Sequence, residues 1–154
     1  MKPALSTRFG FLVNEVSRLY SQQFDRLARD KLGLSQAQCR LLGVLAWHEG
    51  EQALSQAELA HKTGLTAMAV ATMCDRLAAA GWIERRPHPA DRRVNHLYIK
   101  PSARKALEQA MQLADGLTAA ALGGLGAAER KQLLALLARA REGLLAQNAA
   151  EERQ

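Results

Sequence analysis

Between Trp82 and Lys100 the chain places five cations (Arg85, Arg86, Arg92, Arg93 and Lys100) against two acids, Glu84 and Asp91. Clustered guanidinium groups bind polyanions by neutralising and hydrogen-bonding them. Two runs with β character, residues 82–86 and 94–99, flank a turn rich in Pro, Asp and Arg. Pro87 and Pro89 cannot donate to a sheet ladder, so both are expected in the connection. The expectation is a β-hairpin with a basic tip. Taken alone, such a charge run fits a solvated surface hairpin as well as a polyanion-binding one.

Other chemistry-bearing groups are sparse. Cys39 and Cys74 are far apart in sequence, without metal-type spacing, and a disulfide framework is not expected. Both fall on inward stripes, where a thiol is usually inert and its pKa raised. His48, His61, His88 and His96 are scattered over different elements with no i,i+4 pair, so no metal site is expected. No nucleophile elbow, phosphate loop or paired-carboxylate constellation is present, so neither an enzyme nor a cofactor is expected.

The elements that must position the hairpin can be read in order. The chain has 154 residues, 48% hydrophobic and 23% charged, with a net charge of +6. That length suits one domain with a sizeable core. Leu and Ala dominate and aromatics are 5%, which favours helix. The positive balance points to a polyanionic partner. No apolar run approaches the roughly 20 residues of a membrane span, and the N-terminus lacks an apolar signal core. A cytoplasmic protein without membrane contact is the expectation.

From Arg8 to about Lys31, Phe9, Leu12, Val13, Val16, Leu19, Tyr20, Phe24 and Leu27 recur at steps of three and four, a long amphipathic helix ended by Gly33. Ser35 and Gln38 form a capping box opening a second helix, with Cys39, Leu42 and Leu45 inward. Residues 49–52 read as a loop. Ser55 and Glu58 form another capping box, opening a short helix that carries Leu59 and Ala60 and stops at Gly64. Thr66 caps a fourth helix with Val70, Met73, Cys74 and Leu77 inward, closed by Gly81. After the hairpin, Pro101 suits the start of a fifth helix whose stripe is Leu107, Met111, Ala114, Leu117 and Ala121. A sixth helix spans about 127 to 147. Its leucines, including Leu133, Leu134, Leu136, Leu137, Leu144 and Leu145, occupy more than one face, and a second subunit is the simplest cover. The polar tail 149–154 is expected to fray.

The short helix, the turn with Gly64 and the fourth helix make a helix-turn-helix pattern, with Ala60, Gly64 and Val70 where such a unit needs them. A basic hairpin directly after it makes the arrangement a winged helix. At this point the chain resembles the MarR family of winged helix-turn-helix transcriptional regulators, from about Arg8 to Leu145. The resemblance rests on Ser55-Gln56-Ala57-Glu58-Leu59-Ala60, on Asp75-Arg76-Leu77 before Gly81-Trp82-Ile83-Glu84-Arg85, and on Pro89-Ala90-Asp91-Arg92-Arg93. It implies a mainly α fold of six helices with the hairpin wing between the fourth and fifth. Residues 1–34 and 101–154 would form a dimerisation lobe, and residues 35–100 the DNA-binding lobe. The implied protein is a homodimer on a pseudo-palindromic operator in double-stranded DNA, a repressor released by a small aromatic or phenolic ligand.

On that reading the fourth helix lies in the major groove. Its outward residues are Thr66, Ala67, Met68, Ala69, Ala71 and Thr72, less polar than is usual for the family. Base readout there must lean on thymine methyls. Arg76 is a candidate for phosphate, or for an ion pair with Asp75, and Lys62 for backbone phosphate. At the wing, Arg93 is the candidate for minor-groove insertion, with Asp91 positioning its guanidinium and Arg92 on phosphate. Arg85 and Arg86, nearer the strand base, are candidates for DNA contact or simple surface charge. Sequence preference is therefore expected to come more from the wing and DNA shape than from the recognition helix. Tyr20, Phe24, Arg40, Trp47 and His48 are candidate effector-pocket residues, each of which also suits a plain core or surface role. The family's peroxide-sensing branch carries its reactive cysteine in the first helix, and this chain has none there. The competing reading is a winged-helix module that binds protein instead of DNA.

Overall fold

A computed structural model describes residues 5–49 and 53–152. The expected loop residues Gly50, Glu51 and Gln52 lie outside the described residues, as do Met1 to Ala4 and the last two residues of the tail. In chain order, after a 3-10 turn at Leu5–Thr7, the elements are α1 (Phe9–Leu32), α2 (Gln36–His48), β1 (Leu54–Ser55), α3 (Gln56–Thr63), α4 (Ala67–Ala79), β2 (Ile83–Pro87), β3 (Asn95–Ile99), α5 (Pro101–Ala121) and α6 (Ala127–Glu151). The fold is mainly α, with six α-helices and a small wing sheet among the described residues. It divides into two compact units, residues 1–117 and 118–154. No described helix is long and apolar enough to cross a membrane.

Local chemistry sets the helix ends. Both capping boxes are formed: the Ser35 hydroxyl accepts from the Gln38 N–H and the Ser55 hydroxyl from the Glu58 N–H, while Gln38 and Glu58 return bonds to the cap N–H groups. Gly33, Gly64 and Gly81 adopt left-handed φ of 68°, 68° and 80°, where a Cβ would clash with the backbone. At Gly81 the chain leaves α4 through paired bonds, Gly81 N–H to the Ala78 carbonyl and Trp82 N–H to that of Leu77.

The first unit's core gathers Leu34, Leu41, Leu42, Leu45, Leu59, Val70, Cys74, Leu77, Ile83, Leu97 and Ile99. Helix α1 buries Phe24 and Ala28 in it and packs Tyr20 and Leu32 against it. The earlier part of its apolar stripe, Phe9, Leu12, Val13, Val16 and Leu19, is exposed.

Three expectations are corrected. The sheet has a third strand: β1 pairs with β3, giving the order β1-β3-β2. Two residues are too few for a period-2 signal. Pro87 lies in β2, opposite Asn95, and not in the connection. The bonds from Lys100 N–H to the Trp82 carbonyl and from His88 N–H to the Val94 carbonyl put Pro87 at a non-hydrogen-bonded pair, so its missing N–H is not needed. On helix α5 the expected Leu107, Ala114 and Leu117 pack against the core, but the fully buried positions are Ala103, Ala106 and Ala110, and Met111 and Ala121 are exposed.

The second unit is dominated by α6, in which no described residue is buried. Leu134, Leu136, Leu137, Leu144 and Leu145 are all exposed. The helix continues through Glu151 where fraying was expected, since Ala149, Ala150 and Glu151 are strong helix formers.

Candidate nucleic-acid interface

The helix-turn-helix is built from α3 and α4. Leu59 and Ala60 of α3 and Val70, Cys74 and Leu77 of α4 are buried in the shared core. Thr63 is buried with them, its hydroxyl donating to the Leu59 carbonyl at 2.7 Å. Gly64 turns the chain, and the Thr66 hydroxyl accepts the Ala69 N–H at 3.2 Å, capping α4. That bond gives the Thr66 oxygen a structural duty at the helix start. On the outward side Ala67, Met68, Thr72 and Arg76 are exposed, and Ala69 and Ala71 are half-buried. Met68 is 81% exposed, an apolar side chain standing on an alanine surface. Lys62 is exposed at the end of α3.

The wing carries the strongest charge geometry. Asp91 chelates Arg93: one carboxylate oxygen accepts from the Arg93 backbone N–H and from Nε, each at 3.0 Å, and the other from Nη2 at 3.1 Å. Arg93 is 91% exposed, so the chelate fixes the guanidinium direction without burying it. These bonds hold the Asp91 carboxyl below the usual aspartate value, the Arg93 side chain first and its backbone N–H second. The Arg93 pKa is raised in turn. Arg92 is exposed beside it.

Strand alternation separates the two arginines of β2. Arg86 points to the face of Tyr98, with its guanidinium 4.4 Å from the ring centre, and pairs with Glu84. Arg85 shares the face of buried Ile83. It donates from Nη2 to Asp75 of α4 at 2.6 Å and from Nε to Gln56 of α3 at 3.1 Å. Asp75 thus pairs with Arg85 and not with Arg76. A hollow of about 330 Å³ lies between the start of α3 and the wing, lined by Ser55, Gln56, Ala57, Arg93, Val94 and Asn95.

Of the effector candidates, Tyr20, Phe24 and Arg40 line one open pocket of about 350 Å³ with Gln36, Cys39, Leu107, Ala110, Met111 and Ala114. The Tyr20 hydroxyl donates to the Ala114 carbonyl at 3.2 Å. Arg40 donates to the Thr63 carbonyl at 3.3 Å, linking the pocket rim to the end of α3. Trp47 and His48 are not among the lining residues: Trp47 is 81% exposed, and the His48 ring bonds the Val44 carbonyl at 2.8 Å.

Both cysteines are buried and free. Burial pushes the Cys74 thiol up to about 11 and also raises Cys39. The histidines are less scattered than their sequence positions imply. The His88 and His96 rings meet edge-on with centroids 4.5 Å apart. Residues that face one another across a hairpin are far apart in sequence, which hid this pair. Among the described residues, no group of three or more His, Cys, Asp or Glu is arranged to hold a metal ion.

Comparison with known proteins points one way. A family model described as the MarR family matches residues 32–94. The chain is 29% identical over 112 residues to YdgJ of Bacillus subtilis (strain 168), an uncharacterized HTH-type transcriptional regulator. The match covers 73% of the chain and 66% of the relative, just under two thirds of its length. The reduced form of MarR from E. coli superposes with a TM-score of 0.77 at 25% identity, covering 86% of this chain and 96% of that one. A mutant MarR from E. coli complexed with operator DNA gives a TM-score of 0.72 at 23% identity, covering 90% and 99%, a likeness of fold.

Proposed function

We propose that this protein, whose residues 32–94 match the MarR family model and whose fold is like that of MarR from E. coli, is a cytoplasmic, dimeric, sequence-specific DNA-binding transcriptional regulator. In this reading α4 enters the major groove and the wing reaches the adjacent minor groove. The observation that carries it is the Asp91–Arg93 chelate, an almost fully exposed guanidinium held in a fixed direction at the tip of a basic hairpin. A free arginine loses rotamer entropy on docking into a groove. A chelated one has lost part of it beforehand. In the same reading the exposed Arg92, Lys62 and Arg76 neutralise phosphate.

The regulator acts as a homodimer on a pseudo-palindromic operator. The exposed leucines of α6 and the exposed apolar stripe of α1 support this, as surface that a partner copy would cover. It represses, and a small aromatic or phenolic ligand releases it. The pocket of Tyr20, Phe24 and Arg40 supports this, an apolar hollow with one cation at its rim.

One observation favours the second reading, a module that binds protein. It is Met68, exposed on an alanine-rich helix. Salt separates the two, because phosphate neutralisation makes log K fall linearly with log salt and an apolar interface does not. Binding of the purified protein to duplex DNA enriched from a random pool, titrated across salt with and without salicylate, tests the proposal. Steep salt dependence and ligand-weakened binding are expected. Failure to enrich any duplex would remove the DNA reading.

A further inference from the structure

We infer that Arg85 is a positioning residue and not a DNA contact: with Asp75 and Gln56 it forms a brace that sets the wing against the recognition helix. The inference rests on the DNA-binding reading above. Arg85 is on β2, on the same strand face as Ile83, which is 2% exposed. A cation on that face must find partners, and it finds them on two other elements. Nη2 donates to Asp75 on α4 at 2.6 Å, and Nε donates to Gln56, the first residue of α3, at 3.1 Å. One planar guanidinium therefore ties β2 to both helices of the helix-turn-helix.

The fork matters, because its donors point in fixed directions and a lysine ammonium cannot reproduce them. The Arg85 side chain is 28% exposed against 91% for Arg93, so its donors are committed inward while those of Arg93 face solvent. A regulator that reads two grooves at once must present α4 and the wing at one relative angle. Gly81 gives the chain its turn between them, and the brace holds the angle that the turn leaves open.

This makes an unusual prediction about an acid. The Asp75 side chain is 70% exposed. Deleting an exposed carboxylate beside a polyanion ordinarily tightens binding. Here Asp75→Ala weakens it, by roughly tenfold for a duplex enriched by the wild-type protein. Arg85→Ala and Arg85→Lys give similar losses, and the Asp75→Ala/Arg85→Ala double variant loses no more than either single one. In all of them the slope of log K against log salt stays at the wild-type value, because no phosphate contact has gone. Asp75→Asn, which keeps the side-chain shape, guards against a folding defect, and thermal unfolding of each variant confirms an intact core.

If Arg85 instead contacts phosphate, Arg85→Ala lowers the salt slope by about one. Arg85→Lys then retains binding and Asp75→Ala tightens it. Any of these outcomes overturns the brace. If the wild-type protein enriches no duplex at all, the DNA-binding reading fails instead, and the two failures are thereby distinguished.

Discussion

Asp91 accepts three hydrogen bonds from Arg93, and its depressed pKa makes the wing tip acid-sensitive in a defined direction. A carboxylate whose folded pKa is lowered holds its partners at and above its ordinary value, and releases them as pH falls through the lower folded value. The Arg93 Nε–H resonance should therefore be protected at pH 5 and above, and lose protection only well below about pH 4. An NMR titration reads this directly, and loss already near pH 6 would contradict it. Cys74 offers a second check. With its thiol pushed up to about 11 by burial, it should resist iodoacetamide at neutral pH in the native protein and react once unfolded. Cys74 was readable from the inward stripe of its helix, whereas the pairing of Asp91 with Arg93 was expected only from the family resemblance. The partners of Arg85 were not readable, because Asp75 and Gln56 are 10 and 29 residues away in sequence. Nothing local distinguishes Arg85 from Arg86. Only the strand alternation in the fold does.

The helix ends show which element boundaries follow from local chemistry. Ser35, Ser55 and Thr66 cap helices as their neighbours predict, because a cap is decided within four residues. Ser55→Ala should destabilise the protein by about 1 kcal/mol, measured by urea denaturation. Its return partner Glu58 has a lowered pKa, mainly from the Ser55 backbone N–H. The stability it adds is fully present above about pH 4.3 and is lost as pH falls through the lower folded value. Gly64→Ala meets no neighbouring atom within 4 Å, so its cost is confined to the left-handed backbone. That cost is about 1–2 kcal/mol. Strand β1 and the buried face of α5 depend instead on distant partners. Leu54 pairs with Leu97 across the sheet, and Ala103, Ala106 and Ala110 are buried because neighbours come close to them. Of the expected stripe, Leu107, Ala114 and Leu117 pack against the core beside those alanines, and Met111 does not.

Across the whole molecule, apolar side chains stand exposed along α1 and α6 in a single chain. Analytical ultracentrifugation should give twice the chain mass, and Leu137→Glu on α6 should shift the population toward monomer. A wild-type protein monomeric at micromolar concentration would contradict the dimer. The helix order was legible because α2, α3 and α4 carry side-chain caps and α1 and α5 long apolar stripes, and the wing because its Arg-rich turn sits between two β runs. Of the residues expected to line an effector pocket, Tyr20, Phe24 and Arg40 converge on one hollow, while Trp47 faces solvent. The proposed function turns on Arg93, held ready at the wing tip to read DNA. The most direct measurement compares wild type with Arg93→Ala on an enriched duplex and on a scrambled duplex of equal composition, across salt. Wild type should bind the enriched duplex far more tightly, with a steep salt dependence. Arg93→Ala should bind both duplexes alike, with a salt slope lower by about one. An Arg93→Ala protein that still discriminates the two would contradict that reading.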